Sequence, residues 1–119
     1  MSKTDLSYSL RLKLYTDEKF FGLGVATLLE HVQETRSLLQ ASKKISMAYT
    51  KALKILKKAE DNLGYKLLIR QTGGVSGGGS YLTQNAIKLL KLFRQFEADI
   101  ESFADKKFEI LSDKMNKLK

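Results

Sequence analysis

The sequence predicts a mainly α-helical fold that carries one small β-hairpin. Apolar residues recur at helical spacing in three separate stretches, and residue types that start or end helices stand at their borders. Two strand-like stretches flank a glycine-rich segment, residues 72–80, which holds five of the eight glycines of the chain. At 119 residues the chain is long enough for one hydrophobic core and too short for two, so we expect a single domain over residues 1–119.

Composition and the first residues limit where the protein can act. The chain has no cysteine, which excludes a disulfide scaffold and thiol chemistry. Residues 1–10 contain no apolar stretch after their single lysine and therefore differ from a signal peptide. The longest apolar run, residues 23–29, is too short to cross a bilayer. We expect a soluble cytoplasmic protein without a membrane segment.

The net charge of +8 is concentrated in the middle of the chain. Residues 36–70 hold nine basic side chains against two acidic ones, whereas residues 1–35 hold four against five and residues 71–119 eight against six. A basic excess confined to one segment indicates a polyanionic partner, because general solubility would be served by charge at any position.

The first third of the chain predicts one strand and one helix. Residues 8–15 alternate apolar and polar side chains, which is typical of a strand with one buried face. Asp17 and Glu18 then stand where the positive end of a helix favours acids. Apolar residues follow at helical spacing over 21–32, and this first helix is expected to end near Arg36.

The next two helices are predicted to form a helix-turn-helix unit. Residues 37–40 form an S-x-x-Q capping box that starts a short second helix, which runs to about Lys43 or Lys44. A third helix covers about residues 48–63, and Gly64 is placed to end it. The third helix has an apolar stripe on one face and a basic face opposite, formed by Thr50, Lys51, Lys54, Lys57 and Lys58.

Three interpretations compete for the glycine-rich segment. A phosphate-binding P-loop requires a lysine followed by serine or threonine, which the segment lacks. A flexible tether would join two independent bodies, yet the flanking stretches 65–71 and 80–83 are strand-like and too small to stand alone. A hairpin tip with several residues at positive φ fits best, and a hairpin that follows a helix-turn-helix is the wing of a winged helix. The wing, about residues 70–83, would contain Gly73, Gly74, Gly77, Gly78 and Gly79.

The last predicted element is a long helix capped by Thr83. Its apolar residues Phe93, Phe96, Ile100 and Phe103 alternate spacings of three and four. Beyond them the apolar pattern slips by one position, which indicates either a stutter in a continuous helix or a break near Asp105. A continuous helix over 84–118 would extend about 50 Å, longer than a domain of this size, so part of its apolar surface requires a second chain.

Four stretches also resemble a known family. Residues 20–32 (FFGLGVATLLEHV), 47–56 (MAYTKALKIL), 61–70 (DNLGYKLLIR) and 72–83 (TGGVSGGGSYLT) are similar to the N-terminal DNA-binding domain of the molybdate-responsive ModE regulators. The last two stretches also resemble LysR-type regulators. The resemblance is collinear over roughly residues 8–113, and the glycine-rich wing followed by Leu-Thr is its most specific part.

This resemblance implies a winged helix, a symmetric dimer and control of transcription. It does not extend to molybdate sensing, because the oxyanion-binding domains of that family lie after the segment matched here. The chain also departs from the family pattern, with Leu23 where Gly-Pro-Gly is common, and with Ala48 and Leu53 where a serine and a tryptophan are common. The DNA sequence that the family recognises and the strength of its wing contact are therefore not carried over to this chain. We expect neither a cofactor nor an evident small-molecule effector site.

We expect the protein to bind double-stranded DNA as a homodimer on a palindromic site. The third helix would enter the major groove, and the wing would lie on the flanking backbone. The dimer interface would use residues of the last helix, 84–118. The expected base contacts are Tyr49, Thr50, Lys51 and Lys54; the expected phosphate contacts are Ser37, Lys43, Lys44, Lys57, Lys58, Arg70, Gln71 and Thr72; and the expected interface residues are Phe93, Phe96, Ile100 and Phe103.

Alternative functions remain open at this point. The lysine face of the third helix could be a solvated surface, and the protein could then be a non-catalytic interaction protein, or a nonspecific nucleic-acid binder, whose last helix binds a partner. Catalysis has no support, because His31 is the single histidine and no Ser/His/Asp set, metal cluster or cofactor fingerprint is present. We therefore expect no enzymatic activity and no metal site.

Overall fold

A computed structural model describes residues 5–71 and 79–119 of the chain. Within these residues, four helices account for most of the structure and two small antiparallel hairpins complete it, which confirms the predicted fold class. In chain order the elements are β1 Lys13–Tyr15, β2 Lys19–Gly22, α1 Leu23–Thr35, α2 Leu38–Lys44, α3 Tyr49–Leu63, β3 Leu68–Gln71, β4 Gly79–Leu82 and α4 Gln84–Asn116.

The helix boundaries follow the local signals in the sequence. The hydroxyl oxygen of Ser37 accepts a hydrogen bond from the backbone N–H of Gln40 at 3.1 Å and so caps α2. Gly64 ends α3 in the left-handed conformation, with φ of 84°. Thr83 caps α4 by accepting a 3.0 Å hydrogen bond from the N–H of Ala86. The starts of α1 and α3, by contrast, have no side-chain hydrogen bond to their first N–H groups.

The first residues differ from the prediction of a strand over 8–15 followed directly by a helix. Only residues 13–15 form a strand, and their partner is β2, in residues 19–22 where the start of α1 was expected. The acidic pair at 17 and 18 therefore lies in the turn of a hairpin. Lys19, Phe20 and Phe21 suit a strand, because aromatic side chains pack well on a pleated surface. Phe21 is still fully buried, but from β2.

The segment before β1 lies along the far half of α4. The hydroxyl of Tyr8 donates a hydrogen bond to the Asp105 carboxylate, and the Tyr8 ring lies 4.9 Å from the ring of Phe108, centroid to centroid. The hydrogen bond to Asp105 is the main cause that raises the pKa of Tyr8 to about 12. The alternation of apolar and polar residues that predicted a strand therefore includes Tyr8, which packs on a helix instead.

The hydrophobic core lies where α1, α2, α3 and the start of α4 meet. Phe21 and Phe93 pack edge to face with their centroids 5.0 Å apart, and Leu67 closes the core beside the wing. The buried apolar residues are Phe21, Val25, Ala26, Leu28, Leu29, Val32, Leu38, Ala41, Ala52, Leu56, Ala59, Leu67, Ala86, Leu90 and Phe93.

The turn between α2 and α3 is tight and has one left-handed residue. Ser46 has φ of 55°, and the N–H of Met47 donates a 2.8 Å hydrogen bond to the carbonyl of Ser42. Ser42 itself is buried, and its hydroxyl donates to the Leu39 carbonyl at 2.8 Å. The turn therefore holds α3 at a defined angle to α2, as in a helix-turn-helix unit.

Helix α4 is continuous over 33 residues and extends beyond the core. The molecule measures 66 × 33 × 22 Å, and its radius of gyration is 18.8 Å, whereas about 14 Å is expected for a compact domain of this length. The slip in the apolar pattern near Asp105 is therefore not a break. It marks a change between two faces of one helix: Phe108 is covered by the N-terminal segment, whereas Phe103 is exposed.

Candidate nucleic-acid interface

The exposed face of α3 is polar and basic. Thr50, Lys51 and Lys54 are exposed there, within about 100° of helix rotation of one another. Neither Lys51 nor Lys54 has an ion-pair partner among residues 5–71 and 79–119. The opposite face of α3 is anchored by Ala52, Leu56 and Ala59, which are buried in the core. Burial of one face therefore fixes the other toward solvent.

The lysines next to this exposed face already have acidic neighbours. Lys57 lies 3.0 Å from Asp61, and Lys58 lies 3.3 Å from Glu18.

Lys44 in α2 lies 2.9 Å from Glu34, whose pKa is lowered chiefly by this hydrogen bond. Lys43 has no ion pair among the residues that the structure describes. Exposed ion pairs of this kind are screened by solvent, so a phosphate can replace the carboxylate at little cost.

Tyr49 lies apart from the other three residues expected to contact bases. It is two positions before Lys51, so the two side chains leave α3 about 160° apart. The hydroxyl of Tyr49 accepts a hydrogen bond from the Arg70 guanidinium, and the Arg70 carbon Cζ lies 6.0 Å from the centre of the tyrosine ring. The structure thus places Tyr49 beside the base of the wing rather than among the exposed lysines.

The base of the wing is a two-stranded ladder. Strands β3 and β4 pair in register from Leu68 with Leu82 to Gln71 with Gly79. The side chain of Glu60 in α3 accepts a 2.7 Å hydrogen bond from the N–H of Leu67 and so ties the entry of the wing to α3. Of the residues expected in the wing, Thr72, Gly73, Gly74, Gly77 and Gly78 lie outside the described residues.

The wing also contacts the end of α1. The N–H of Ser80 donates a 3.0 Å hydrogen bond to the carbonyl of Arg36, and the Arg36 guanidinium lies 5.6 Å from the centre of the Tyr81 ring. A Cβ on Gly79 would stand only 3.3 Å from the same carbonyl oxygen, so glycine allows this close approach. Arg36 was not among the expected contacts. Its place at the end of α1 gave no sign of this role.

Four of the expected phosphate-binding and base-binding residues meet at one cleft. It has a volume of about 420 Å³ and lies between the start of α2, the start of α3 and the wing. Ser37, Tyr49, Arg70 and Gln71 line it, together with Arg36. The structure therefore groups the expected contacts into an exposed face on α3 and a cleft beside the wing.

The residues expected at the dimer interface separate into two groups. Phe93 faces the core of its own chain, with 3% of its surface exposed, so it has no surface to offer a second chain. Phe96 and Phe103 remain 43% and 61% exposed. They belong to a row of apolar residues on the outer side of α4, here called the α4 outer stripe: Leu92, Phe96, Ile100, Phe103 and Ile110.

A charged cluster connects α4 to α1. Arg94 donates hydrogen bonds to both carboxylate oxygens of Glu30, at 2.9 and 2.6 Å, and to Glu97 at 2.7 Å. The guanidinium lowers the pKa of Glu30, and the two carboxylates raise the pKa of Arg94. This cluster sets the direction in which α4 leaves the core. The sequence showed no local signal for it, since Glu30 and Arg94 are 64 positions apart.

The described residues give little support for a metal site or a membrane-spanning helix. Within residues 5–71 and 79–119, no group of three or more histidine, cysteine, aspartate or glutamate side chains could hold a metal ion. His31 lies 3.3 Å from Glu34 on the surface of α1. No helix in the described part of the chain has the length and apolar character that crossing a bilayer requires.

Comparison with known proteins points to one family. No protein-family model matches the chain. The transcriptional regulator ModE of Haemophilus influenzae is 32% identical over 115 residues, which are 95% of this chain and 42% of that protein. The DNA-binding transcriptional dual regulator ModE of Escherichia coli K12 is 30% identical over 108 residues, 91% of this chain and 38% of that protein. This chain is a ModE-type N-terminal domain.

A third relative extends the comparison to another genus. The molybdenum transport protein ModE of Herbaspirillum seropedicae is 32% identical over 94 residues, which cover 79% of this chain and 33% of that protein. The chain thus spans about two-fifths or less of the length of the ModE proteins it matches. The matched relatives confirm the ModE resemblance, whereas the more distant resemblance to LysR-type regulators stays an expectation.

Proposed function

We propose that this ModE-type domain is a transcriptional regulator that binds double-stranded DNA in a sequence-selective way. One observation supports this function above the others: on α3, Lys51 and Lys54 stand exposed and have no ion-pair partner among residues 5–71 and 79–119, while Lys57 and Lys58 of the same helix are paired with carboxylates. The two unpaired lysines are therefore available to a polyanion without the loss of an ion pair. The names of the ModE relatives, which include a DNA-binding regulator, agree with this proposal.

Helix α3 enters the major groove in the proposed complex. Lys51 and Lys54 reach guanine acceptors, and Thr50 contacts a thymine methyl group. Tyr49 contacts a base only if its hydrogen bond to Arg70 is broken. While that hydrogen bond is kept, Tyr49 connects the wing to α3.

The backbone contacts come from Lys57 and Lys58 of α3, from Lys43 and Lys44 of α2, and from the cleft beside the wing. In that cleft, Ser37, Arg70 and Gln71 line a space of about 420 Å³ that can admit a phosphate group, and Thr72 with the wing glycines would extend the contacts along the DNA backbone. Phosphate contacts of this kind fix the register of α3 in the groove without reading sequence.

A homodimer formed through the α4 outer stripe completes the proposal. Four of the five apolar side chains of this stripe, Leu92, Phe96, Phe103 and Ile110, are more than two-fifths exposed, and α4 is about 50 Å long. A second chain related by a twofold axis beside this helix would bury the stripe. The dimer would then present two copies of α3 to half-sites about one helical turn apart. The operator would then be palindromic.

The remaining assignments follow from this function. The residues 1–119 act as one domain, with the winged helix-turn-helix in 8–83 and the dimerisation segment in 84–118. The protein acts in the cytoplasm, where bacterial DNA is found, and it performs no catalysis. DNA and a second copy of the chain are its partners.

Selection of bound duplexes from a random DNA library, at near-physiological salt, tests the proposal. Wild-type protein is expected to enrich a palindrome, and Lys51→Ala/Lys54→Ala is expected to enrich none. The matched control Lys114→Ala/Lys117→Ala removes the same charge from the far end of α4 and should enrich the wild-type motif. If folded wild-type protein enriches no motif, the protein is an interaction protein or a nonspecific binder.

A further inference from the structure

A second cavity lies on the other side of α3, away from the wing. It has a volume of about 320 Å³ and is enclosed by the β1–β2 hairpin, the start of α1 and the outer edge of α3. This volume lies in the range of small-molecule sites in proteins. Neither the expected DNA contacts nor the core requires a cavity at this place.

The walls of the cavity are largely apolar. Phe20, Met47 and Ile55 are half-buried and line it from the hairpin, the turn before α3 and α3 itself. Val25 of α1 is 8% exposed and closes its inner side. Apolar side chains from four separate elements therefore converge on one space that can hold a flat apolar body.

The rim of the same cavity is cationic. Arg11, Lys13, Lys19 and Lys51 line it and have no ion-pair partner within residues 5–71 and 79–119, and no acidic residue is among the lining residues. Lys58 also lines the cavity, but it is paired with Glu18 at 3.3 Å. Four unpaired cations around an apolar space would repel one another and attract an anion.

The backbone at the start of α1 adds partial positive charge to the cavity. Gly22 and Gly24 line the cavity, and α1 begins there without a side-chain hydrogen bond to its first N–H groups. The positive end of a 13-residue helix therefore lies at the cavity wall.

We propose that this cavity binds a small organic anion with a flat apolar body, such as an aromatic carboxylate. The apolar walls take the ring system, and the cations of the rim take the carboxylate. A folded peptide segment would need a longer groove than this enclosed space offers. If the proposed DNA contacts of α3 hold, the bound anion also weakens DNA binding, because Lys51 belongs to both sites.

Gly24 lines the cavity and offers a position at which a side chain can be added without a clash at its first carbon atom. A Cβ placed on this residue meets no atom within 4 Å, and its φ is one that other residues adopt. Because glycine is a poor helix former, Gly24→Leu is expected to keep or improve the stability of α1 while it fills space at the cavity wall. Gly24→Ala is the matched control, since one methyl group leaves most of the space open.

The first experiment uses 2-naphthoate as the probe and the neutral 2-naphthamide as its matched control. Titration of either compound into ¹⁵N-labelled protein is followed by amide chemical shifts in the absence of DNA. Naphthoate is expected to shift amides of residues 11–25 and 47–58 and to saturate, and naphthamide to bind more weakly. Lys19→Ala is expected to weaken naphthoate binding by roughly two- to fivefold, the usual range for one exposed ion pair. Gly24→Leu is expected to abolish it.

Three results would overturn the proposal: equal binding of naphthoate and naphthamide, shifts confined to the α4 outer stripe, or full binding by Gly24→Leu. If Gly24→Leu fails to fold, Lys19→Ala still tests the proposal. An unchanged affinity of Lys19→Ala for naphthoate would contradict the cationic rim. A second titration adds DNA. Naphthoate binding without an effect on DNA affinity would refute the shared use of Lys51 and leave the site itself in place, so the two proposals fail separately.

Discussion

Replacement of Phe103 by alanine tests whether α4 forms the dimer. Phe103 lies in the middle of the α4 outer stripe, and 61% of its surface is exposed in the single chain. Complete burial of a phenylalanine side chain contributes about 1.5–3 kcal/mol, so the exposed three-fifths correspond to about 1.5 kcal/mol. A twofold dimer buries both copies. The substitution should therefore weaken the dimer by about 3 kcal/mol, or about two orders of magnitude in the dissociation constant.

Sedimentation velocity over a range of protein concentrations measures this change. The control variant is Ile69→Ala, which shortens a side chain with 51% exposure on strand β3 of the wing, far from α4. The control should dissociate like the wild type. A dissociation constant that is unchanged in Phe103→Ala, or a wild-type chain that stays monomeric at the highest concentrations, would refute the assignment of α4 as the interface.

Three further predictions concern stability and charge. Glu30→Gln should lower the free energy of unfolding in urea by about 0.5–1 kcal/mol at pH 7, a figure discounted for the partly exposed pair. Because Arg94 lowers the pKa of Glu30 below its ordinary value of 4.5, this stabilisation is present above pH 4.5 and is lost as the pH falls through the lowered pKa. The variant and the wild type should therefore converge once the pH lies below that lowered pKa, and a constant difference would contradict the pairing. Ser46→Gly should raise the free energy of unfolding by up to about 1 kcal/mol, since glycine adopts the φ of 55° without strain, and a loss of stability would argue against the turn as described. The log–log salt dependence of DNA binding should have a slope of about −7 for a dimer with four phosphate contacts per subunit, and Lys43→Ala should reduce its magnitude by about 2; an unchanged slope would remove Lys43 from the backbone contacts.

The starts of α2 and α4 and the end of α3 could be predicted because the signals that set them are local, whereas the start of α1 could not. Ser37 and Gln40 are three positions apart, Thr83 and Ala86 likewise, and Gly64 acts through its own φ. Such interactions depend on a few neighbouring residues and are visible in the sequence. The helix-turn-helix and the wing that follows it could be predicted for the same reason.

The N-terminal region could not be predicted from local patterns. Residues 8–15 alternate like a strand, but only residues 13–15 pair with β2, and Tyr8 contacts α4 instead. Tyr8 and Asp105 are 97 positions apart, and no local pattern reports such a contact.

The same limit applies to the candidate site. Phe93 and Phe96 belong to one helical pattern in the sequence, and only the packing of β2 against α4 decides that Phe93 is buried and Phe96 exposed. The basic excess in residues 36–70 identified the lysines of α3 as candidate contacts. Their division into paired and unpaired side chains depends on Glu18 and Asp61. The separation of Tyr49 from Lys51 follows from helical spacing alone, whereas the contact of Tyr49 with Arg70 depends on the fold.

The ratio of affinities for a selected duplex and a scrambled duplex of equal length, at one salt concentration, tests the central claim most directly. Wild-type protein is expected to prefer the selected duplex by at least about a thousandfold, as sequence-selective binders do. Each lysine contact to a base contributes about 1–3 kcal/mol, so Lys51→Ala/Lys54→Ala, which removes four contacts from a dimer, should lose nearly all of this preference and keep its affinity for the scrambled duplex. A preference that survives in the double variant would contradict the assignment of α3 as the element that reads DNA.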